Sequence, residues 1–323
     1  MYQKRRRKKK KEPGPIKNWL EYLLMRGVAW LITGGDPDQA LATARWLGRQ
    51  FYRFYGRGRA RALEHLRFCY PEKDQAWMEQ TAERSFEYLV MLVFDVFLTP
   101  RLVHKQTLDT YFSYDPAELK PIFDWVDQNQ ALVMVTGHYG NFEVLGYALA
   151  THGMKIFTVG RPIDNPLIDT YLRSVREKQG QVIIDKRGAA LQMTQVLSSG
   201  NLLALVADQN GGRKDIFVEF FGRKASTYKS IGLLAMRYKC PIVVGYCRRL
   251  EDSYKFHIGI TRIIQPEDWA DKDEPLAWIT AEYTRGIEEF VRLDPQQYWW
   301  LHRRWRTRPP EEIEAAEKQM LRE

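Results

Sequence analysis

The chain has 323 residues, 45% of them hydrophobic and 13% aromatic, which is ample material for a buried core and excludes a disordered polypeptide. Its formal charge of +9 is concentrated in the run Lys4-Arg5-Arg6-Arg7-Lys8-Lys9-Lys10-Lys11, and removing these eight charges leaves about +1, so a basic nucleic-acid-binding body is excluded. The three cysteines, Cys69, Cys240 and Cys247, are odd in number and form no CxxC pair, which excludes a disulfide scaffold and a Cys-rich zinc site.

In chain order, residues 1–15 read as a disordered polybasic arm, because a block of like charges repels itself. Its partner must be anionic. The next stretch, IKNWLEYLLMRGVAWLI from Ile16, is Trp-bearing and apolar but is interrupted by Lys17, Glu21 and Arg26. A spanning helix needs roughly 20 mostly apolar residues. The expectation for residues 16–36 is therefore an amphipathic helix lying in a membrane interface, with a poor spanning anchor or an ordinary core helix as alternatives. Residues 37–110 read as helical. Pro37 suits a first helical position, and Leu41, Ala44, Leu47 and Phe51 recur at helical spacing until Gly56 and Gly58 break the pattern. From Asp74 the period returns through Trp77, Ala82, Phe86, Leu89, Val93 and Phe97, and Pro100 is expected to end it.

Residues 111–310 change texture. Short apolar runs (131–136, 155–160, 181–185, 201–208) alternate with helical stretches (142–151, 166–179, 189–198), the pattern of βαβ units. Further strands are expected at 216–221, 241–250 and 254–264, then a helix from Pro275 to Leu293, the Trp- and Arg-rich segment 297–309, and a charged helix or tail over 311–323. The fold class is α/β: a mostly parallel central sheet flanked by helices, with an N-terminal helical extension.

The segment Thr136-Gly137-His138-Tyr139-Gly140-Asn141-Phe142-Glu143 follows a buried strand and opens a helix. Ligands of open α/β sheets bind beyond the carboxyl ends of the strands, which puts His138 at the functional edge. Glu143, in the first helical turn, is expected to fold back onto one imidazole nitrogen and leave the other to take a proton. By spacing alone H-x4-E is weak, and a structural histidine is the competing reading. No second His or Cys nearby completes a ligand set, so no metal is expected.

Several blocks resemble, in order and spacing, those of the lipid A biosynthesis (lauroyl/myristoyl) acyltransferase family within the glycerolipid acyltransferases. GHYGNFE resembles the H-x4-(D/E) block, and GRPIDNPLID (160–169) the R-x3-NP block, leading to Arg176-x3-Gly180. VADQN (206–210), FVEFFGRKAST (217–227) and QYWWLHRRWRTRP (297–309) resemble the remaining three. The resemblance implies transfer of a fatty acyl chain from an acyl carrier protein or coenzyme A thioester to a hydroxyl of a phosphorylated glycolipid, with these thioesters as co-substrates and no other cofactor. It implies His138 as general base and Glu143 as its orienting partner, Arg161 near phosphate or oxyanion, and Asp208 positioning Arg161 or its loop. Asn165, Arg176 and Thr227 follow as further substrate-binding candidates. Surface pairing for Arg161, loop capping for Asp208 and a helix start for Asn165-Pro166 remain as structural alternatives. Phe220 and Phe221 stand between acyl pocket and core, and the Trp/Arg alternation of 299–308 between headgroup contact and packing in an amphipathic strand or helix. A lipid hydrolase using the same dyad, and acceptors such as phosphatidylinositol mannoside, are the competing functions. The expected location is the cytoplasmic face of the inner membrane, peripheral or with a single N-terminal anchor, against anionic lipid. Deleting residues 1–12 is expected to weaken binding to anionic vesicles and flatten its salt dependence, read by vesicle co-sedimentation across a salt series; binding that does not change would show the arm is not the anchor.

Overall fold

In a computed structural model the described residues are 14–178 and 180–320; the polybasic run Lys4 to Lys11 and the last three residues lie outside them. The chain begins with helices α1 (Pro15–Gly34), α2 (Pro37–Phe54), α3 (Gly56–Cys69) and α4 (Gln75–Leu102). Asp36 and Asp74 accept hydrogen bonds from Asp38 N and Trp77 N, capping α2 and α4 at the places the sequence pattern starts them. Gly56 and Gly58 lie in the first turn of α3 rather than in a loop. α4 also passes Pro100 and stops two residues later, where Val103 N donates to Thr99 O. A proline this near a C-terminus removes one ladder bond and leaves the last turn intact.

Next come α5 (Leu108–Tyr111), β1 (Phe112–Ser113), α6 (Pro116–Asp127), β2 (Leu132–Thr136), α7 (Phe142–Thr151), β3 (Ile156–Gly160), α8 (Pro166–Glu177), β4 (Gln181–Asp185), α9 (Ala189–Ser198) and β5 (Leu202–Val206). A hairpin of β6 (Ile216–Phe220) and β7 (Arg223–Thr227) leads to α10 (Ser230–Tyr238), β8 (Ile242–Arg249), β9 (Phe256–Ile264), α11 (Pro275–Leu293) and α12 (Pro310–Met320). The main sheet has the order β1-β9-β8-β2-β5-β3-β4 and is parallel except for the β8–β9 pair. The α/β class with a mostly parallel sheet is thus what the chain adopts. β1, β7, α6 and α10 are elements the alternating pattern did not resolve. The β6–β7 turn uses Phe221 and Gly222, both at positive φ, as a two-residue hairpin requires.

The two sheet faces bury different sets. Leu132, Met134, Ile156, Leu202 and Val243 pack toward α7 and α4; Val133, Val135, Leu203, Ile242 and Val244 pack toward α11, α10 and the C-terminal tryptophans. The segment 297–309 is irregular rather than a strand or helix, and Trp300, Arg304 and Trp305 are buried in the core, so packing prevails there over headgroup contact. Phe220 and Phe221 are likewise core residues. α1 instead exposes Ile16, Trp19, Leu20, Leu23, Leu24, Trp30 and Leu31 while burying only Ala29 and Ile32. Among the described residues no helix is long and apolar enough to cross a membrane.

A buried polar knot joins the helical region to the sheet. Asp95 of α4 is wholly buried, accepts from Asn141 Nδ2 at 2.6 Å and pairs with the guanidinium of Arg249 at the end of β8. Burial pushes the Asp95 carboxyl up to about 6, against the pull of Arg249 and Asn141. Asp95→Ala leaves the buried Arg249 charge unmatched and is expected to cost about 3–5 kcal/mol in chemical denaturation; a loss under about 1 kcal/mol would mean that water reaches the pair. Four histidines, His65, His152, His257 and His302, are pushed below their ordinary value by burial. Their folded values lie below the unfolded value near 6.5, so the unfolded chain binds more protons in the interval. The stability they allow is complete above that pH and is lost as pH falls. In an Asp95→Asn background, which removes the opposing gain from the raised carboxyl, the urea midpoint is expected to decline from pH 7 to about 5; a flat midpoint there would refute neutral burial.

Candidate active site

Register builds the centre of the site. β2 and β5 are parallel neighbours, with Thr136 opposite Val206, and Ala207 N donates to Thr136 O at 2.9 Å. His138 and Asp208 each lie two residues beyond those paired ends, so the two side chains meet. His138 N donates to Asp208 Oδ2 at 2.9 Å, and His138 Nδ1 lies 2.7 Å from Asp208 Oδ1. The Asp208 side chain is fully buried. Burial by itself would raise its carboxyl, but the charge and hydrogen bonds of His138, with His302, hold it well below the usual carboxylate range. An ionised acceptor fixes the proton on Nδ1 and turns Nε2 outward as a base, with Gln209 Nε2 at 3.4 Å from it.

The loop carrying His138 is clamped from both sides. Trp299 N donates to His138 O at 3.1 Å, Gly140 N to Gln297 O at 3.0 Å and Asn141 N to Cys247 O at 2.7 Å. Gly140 has φ +54°, and a Cβ there would run into the Cys247 carbonyl, so only glycine allows this closure. Asn141 caps α7 through Val144 N while its amide reaches Asp95. Aromatic rings surround the imidazole: Phe142 and Trp299 at 4.9 Å and His302 at 4.4 Å between centroids.

The expected contact between Glu143 and His138 is not the one formed. Glu143 makes a two-pronged pair with Arg176 Nε and Nη2, at 2.8 and 2.9 Å, and the imidazole partner is Asp208. The reason is direction: Asp208, just beyond the adjoining strand, reaches hydrogen-bond distance of Nδ1, whereas Glu143 is held by the guanidinium on α8. The reading of Asp208 as a support for Arg161 is replaced in the same way. Arg161 is largely exposed and pairs with Asp164 at 3.2 Å.

A cavity of about 620 Å³ opens at His138 and is lined by Phe142, Glu143, Leu145, Leu149, Arg161 and Arg176, among others. Four predicted site residues, His138, Glu143, Arg161 and Arg176, thus share one cavity, with Asp208 beneath His138. Asn165 and Thr227 lie outside its lining. Asn165 caps α8 and its amide donates to Asn18 O and Glu21 on α1 at 2.9 and 3.0 Å. Thr227 is buried and accepts from Arg304 Nη2 at 2.6 Å, tying the β6–β7 hairpin to the C-terminal segment.

His302 escaped the sequence reading, although it sits within the noted H-R-R-W block. Burial pushes its imidazole down to about 4, which keeps it neutral beside His138. His138, Asp208 and His302 each offer a ligand atom within 4.8 Å of the others, so a second histidine does approach, contrary to the expectation from spacing. Here the 2.7 Å contact between His138 Nδ1 and Asp208 Oδ1 is a direct hydrogen bond.

A family model described as bacterial lipid A biosynthesis acyltransferase matches residues 6–307. The lipid A biosynthesis lauroyltransferase of Escherichia coli (strain K12) is 24% identical over 303 residues, covering 90% of this chain and 92% of that one. The lipid A biosynthesis myristoyltransferase of the same organism is 23% identical over 308 residues, covering 94% and 91%. A lipid A biosynthesis acyltransferase of Haemophilus influenzae is 28% identical over 188 residues, covering 57% and 58%. With a strand-end histidine held by a buried carboxylate, an adjoining cavity and a match spanning nearly its whole length, this chain belongs to the bacterial lipid A biosynthesis acyltransferase family.

Proposed function

We propose that the protein transfers a fatty acyl chain from a thioester to a hydroxyl of a lipid A precursor, with His138 as general base and Asp208, rather than Glu143, as its orienting carboxylate. The observation that carries this reading is the His138 Nδ1–Asp208 hydrogen bond beside a cavity whose lining includes the hydrocarbon side chains of Met134, Leu145, Leu149 and Ile156. Nε2 takes the proton of the acceptor hydroxyl as its oxygen attacks the thioester carbonyl. The C–O bond forms, the C–S bond breaks, and the imidazolium returns the proton to the leaving thiolate. Asp208 stabilises the imidazolium in between, the role a buried carboxylate plays beside a catalytic histidine.

The surrounding residues divide the remaining work. Arg161, Arg176 and Lys186 put positive charge on the cavity wall, suited to the phosphates of the acceptor or of the donor's carrier arm. Glu143 anchors Arg176 and so fixes where that charge stands. The exposed apolar residues of α1, next to a polybasic arm, suit peripheral attachment to an anionic leaflet. An acidic acyl carrier protein is the donor this charge favours, coenzyme A thioesters being the alternative. The names of the relatives support a lipid A precursor as acceptor over a mannoside.

His138→Ala is expected to lower turnover by at least roughly 10²-fold with the fold retained by circular dichroism. Asp208→Asn is expected to fall nearly as far in kcat, whereas Glu143→Gln acts mainly on KM by releasing Arg176. A mild Asp208→Asn together with a severe kcat loss in Glu143→Gln would restore the His–Glu dyad. Lipid mass spectrometry of cells lacking the gene, complemented with wild type or His138→Ala, identifies the acceptor: one acyl chain lost and restored only by wild type is the expected result, and an unchanged lipid profile would overturn it.

A further inference from the structure

The two ends of α8 meet different parts of the molecule. Near its C-terminal end Arg176 pairs with Glu143 at the cavity wall. Its N-cap, Asn165, is only 4% exposed and bonds in two directions. Oδ1 accepts from Leu167 N at 3.0 Å and closes the first turn of α8. Nδ2 donates to Asn18 O at 2.9 Å and to Glu21 Oε2 at 3.0 Å, both on α1. Beside this joint Tyr22 meets Tyr171 edge to ring, and the Arg26 guanidinium lies 4.7 Å from the centroid of the same ring. α8 buries no residue completely, so its place rests on the joint with α1 and on the pairs of Arg173 with Asp185 and Arg176 with Glu143. Arg176 stands roughly 16 Å along the axis from Asn165, at about 1.5 Å per residue.

α1 has two opposite sides. Asn18, Glu21 and Tyr22 fall on one, together with the buried Ala29 and Ile32, and Trp19, Leu20, Leu23, Leu24, Trp30 and Leu31 are exposed on the other, at about 100° per residue. The surface that fits the exposed side is lipid: the acceptor proposed above is a lipid, and the basic run Lys4 to Lys11 precedes the helix. A helix seated in such a surface turns its apolar side to the hydrocarbon and its polar side away from it. In α1 the side turned away is the one that offers Asn18 O and Glu21 to Asn165. Lipid thus favours the orientation of α1 that Asn165 binds, and by linkage it favours the bonded position of α8.

We propose that Asn165 is a positioning residue that passes the seating of α1 on an anionic lipid surface to α8 and so sets Arg176 at the cavity wall. The inference rests on the peripheral attachment and the acyl-transfer reading proposed above. A lipid surface then does more than hold the enzyme near its acceptor: it orders one wall of the site.

The test uses the full-length protein and vesicles of phosphatidylethanolamine with phosphatidylglycerol. Asn165→Asp keeps the oxygen that caps α8 and replaces the donor with a second oxygen facing Glu21. Hydrogen exchange of the α8 amides reads the joint without catalysis. Vesicles are expected to slow that exchange in wild type on the order of 10-fold, the worth of two ordinary hydrogen bonds. In Asn165→Asp, which still co-sediments with the vesicles, no slowing is expected. Adding Glu21→Gln to Asn165→Asp returns an amide donor from the α1 side and is expected to restore it. With a lipid A precursor in the vesicles, Asn165→Asp is expected to raise KM with kcat little changed, because Arg176 and not His138 is displaced, and the double variant is expected to recover KM. Slowing in Asn165→Asp equal to wild type, a double variant that stays unslowed, or no slowing in wild type each overturns the proposal. Should Asn165→Asp not fold, Glu21→Ala with Tyr22→Ala opens the joint from α1, and slowing that survives there overturns it equally. If α8 responds to vesicles as expected while wild type transfers no acyl group, the coupling stands and the acyl-transfer reading falls. If transfer proceeds and α8 is indifferent to vesicles, the coupling falls and the acyl-transfer reading stands.

Discussion

The contact between Asp208 and His138 is the constraint around which the site is arranged. A carboxylate buried this completely persists in ionised form only when its oxygens are occupied, and here one oxygen holds the imidazole and the other holds the backbone N–H of the same residue. The two bonds act together. The backbone bond fixes where the loop leaves β2, and the ring bond fixes which nitrogen faces the cavity. That arrangement needs β5 beside β2 in parallel register, so the geometry of the site depends directly on sheet order.

The loop is also held from outside the sheet. Asp95 reaches in from α4, Arg249 from the end of β8, and Gln297 from the C-terminal segment, which bonds Arg249 N and O through its own side chain. Such buried polar groups add little net stability compared with an apolar replacement. They fix one arrangement among several of similar packing. The helical N-terminal region and the C-terminal tryptophan segment thus both bear on a loop of a few residues, and Arg304, buried against Phe220 and bonded to Ser226 O, extends the same tie to the hairpin.

Around this rigid centre lies a looser rim. α8 has no fully buried residue, and charge pairs tie it to its neighbours: Arg173 with Asp185 and Arg176 with Glu143. α1, whose outer face is apolar, touches it through Asn165, and Tyr22 and Arg26 lie against Tyr171. The α8 side of the cavity is therefore joined to the helix with the apolar outer face, while another of its walls is formed by the sheet and α7.

The sequence by itself determined the local features. Apolar runs of strand length, helical spacing from Pro37 and from Asp74, and a glycine-flanked histidine at a strand end sufficed for the α/β class, most strand positions and the place of His138. Each of these follows from interactions between residues near one another in the chain. The partner of His138 did not follow, because Asp208 lies 70 residues away and is brought close only by the β2–β5 pairing. Glu143 was nearer in sequence and had the right chemistry, yet its direction was set by Arg176 on another helix. The place of His302 and the burial of Arg304 were decided in the same way, by which strands lie side by side and which segment folds over them. Strand order and side-chain direction arise from packing across the whole core, and no local stretch of residues encodes them.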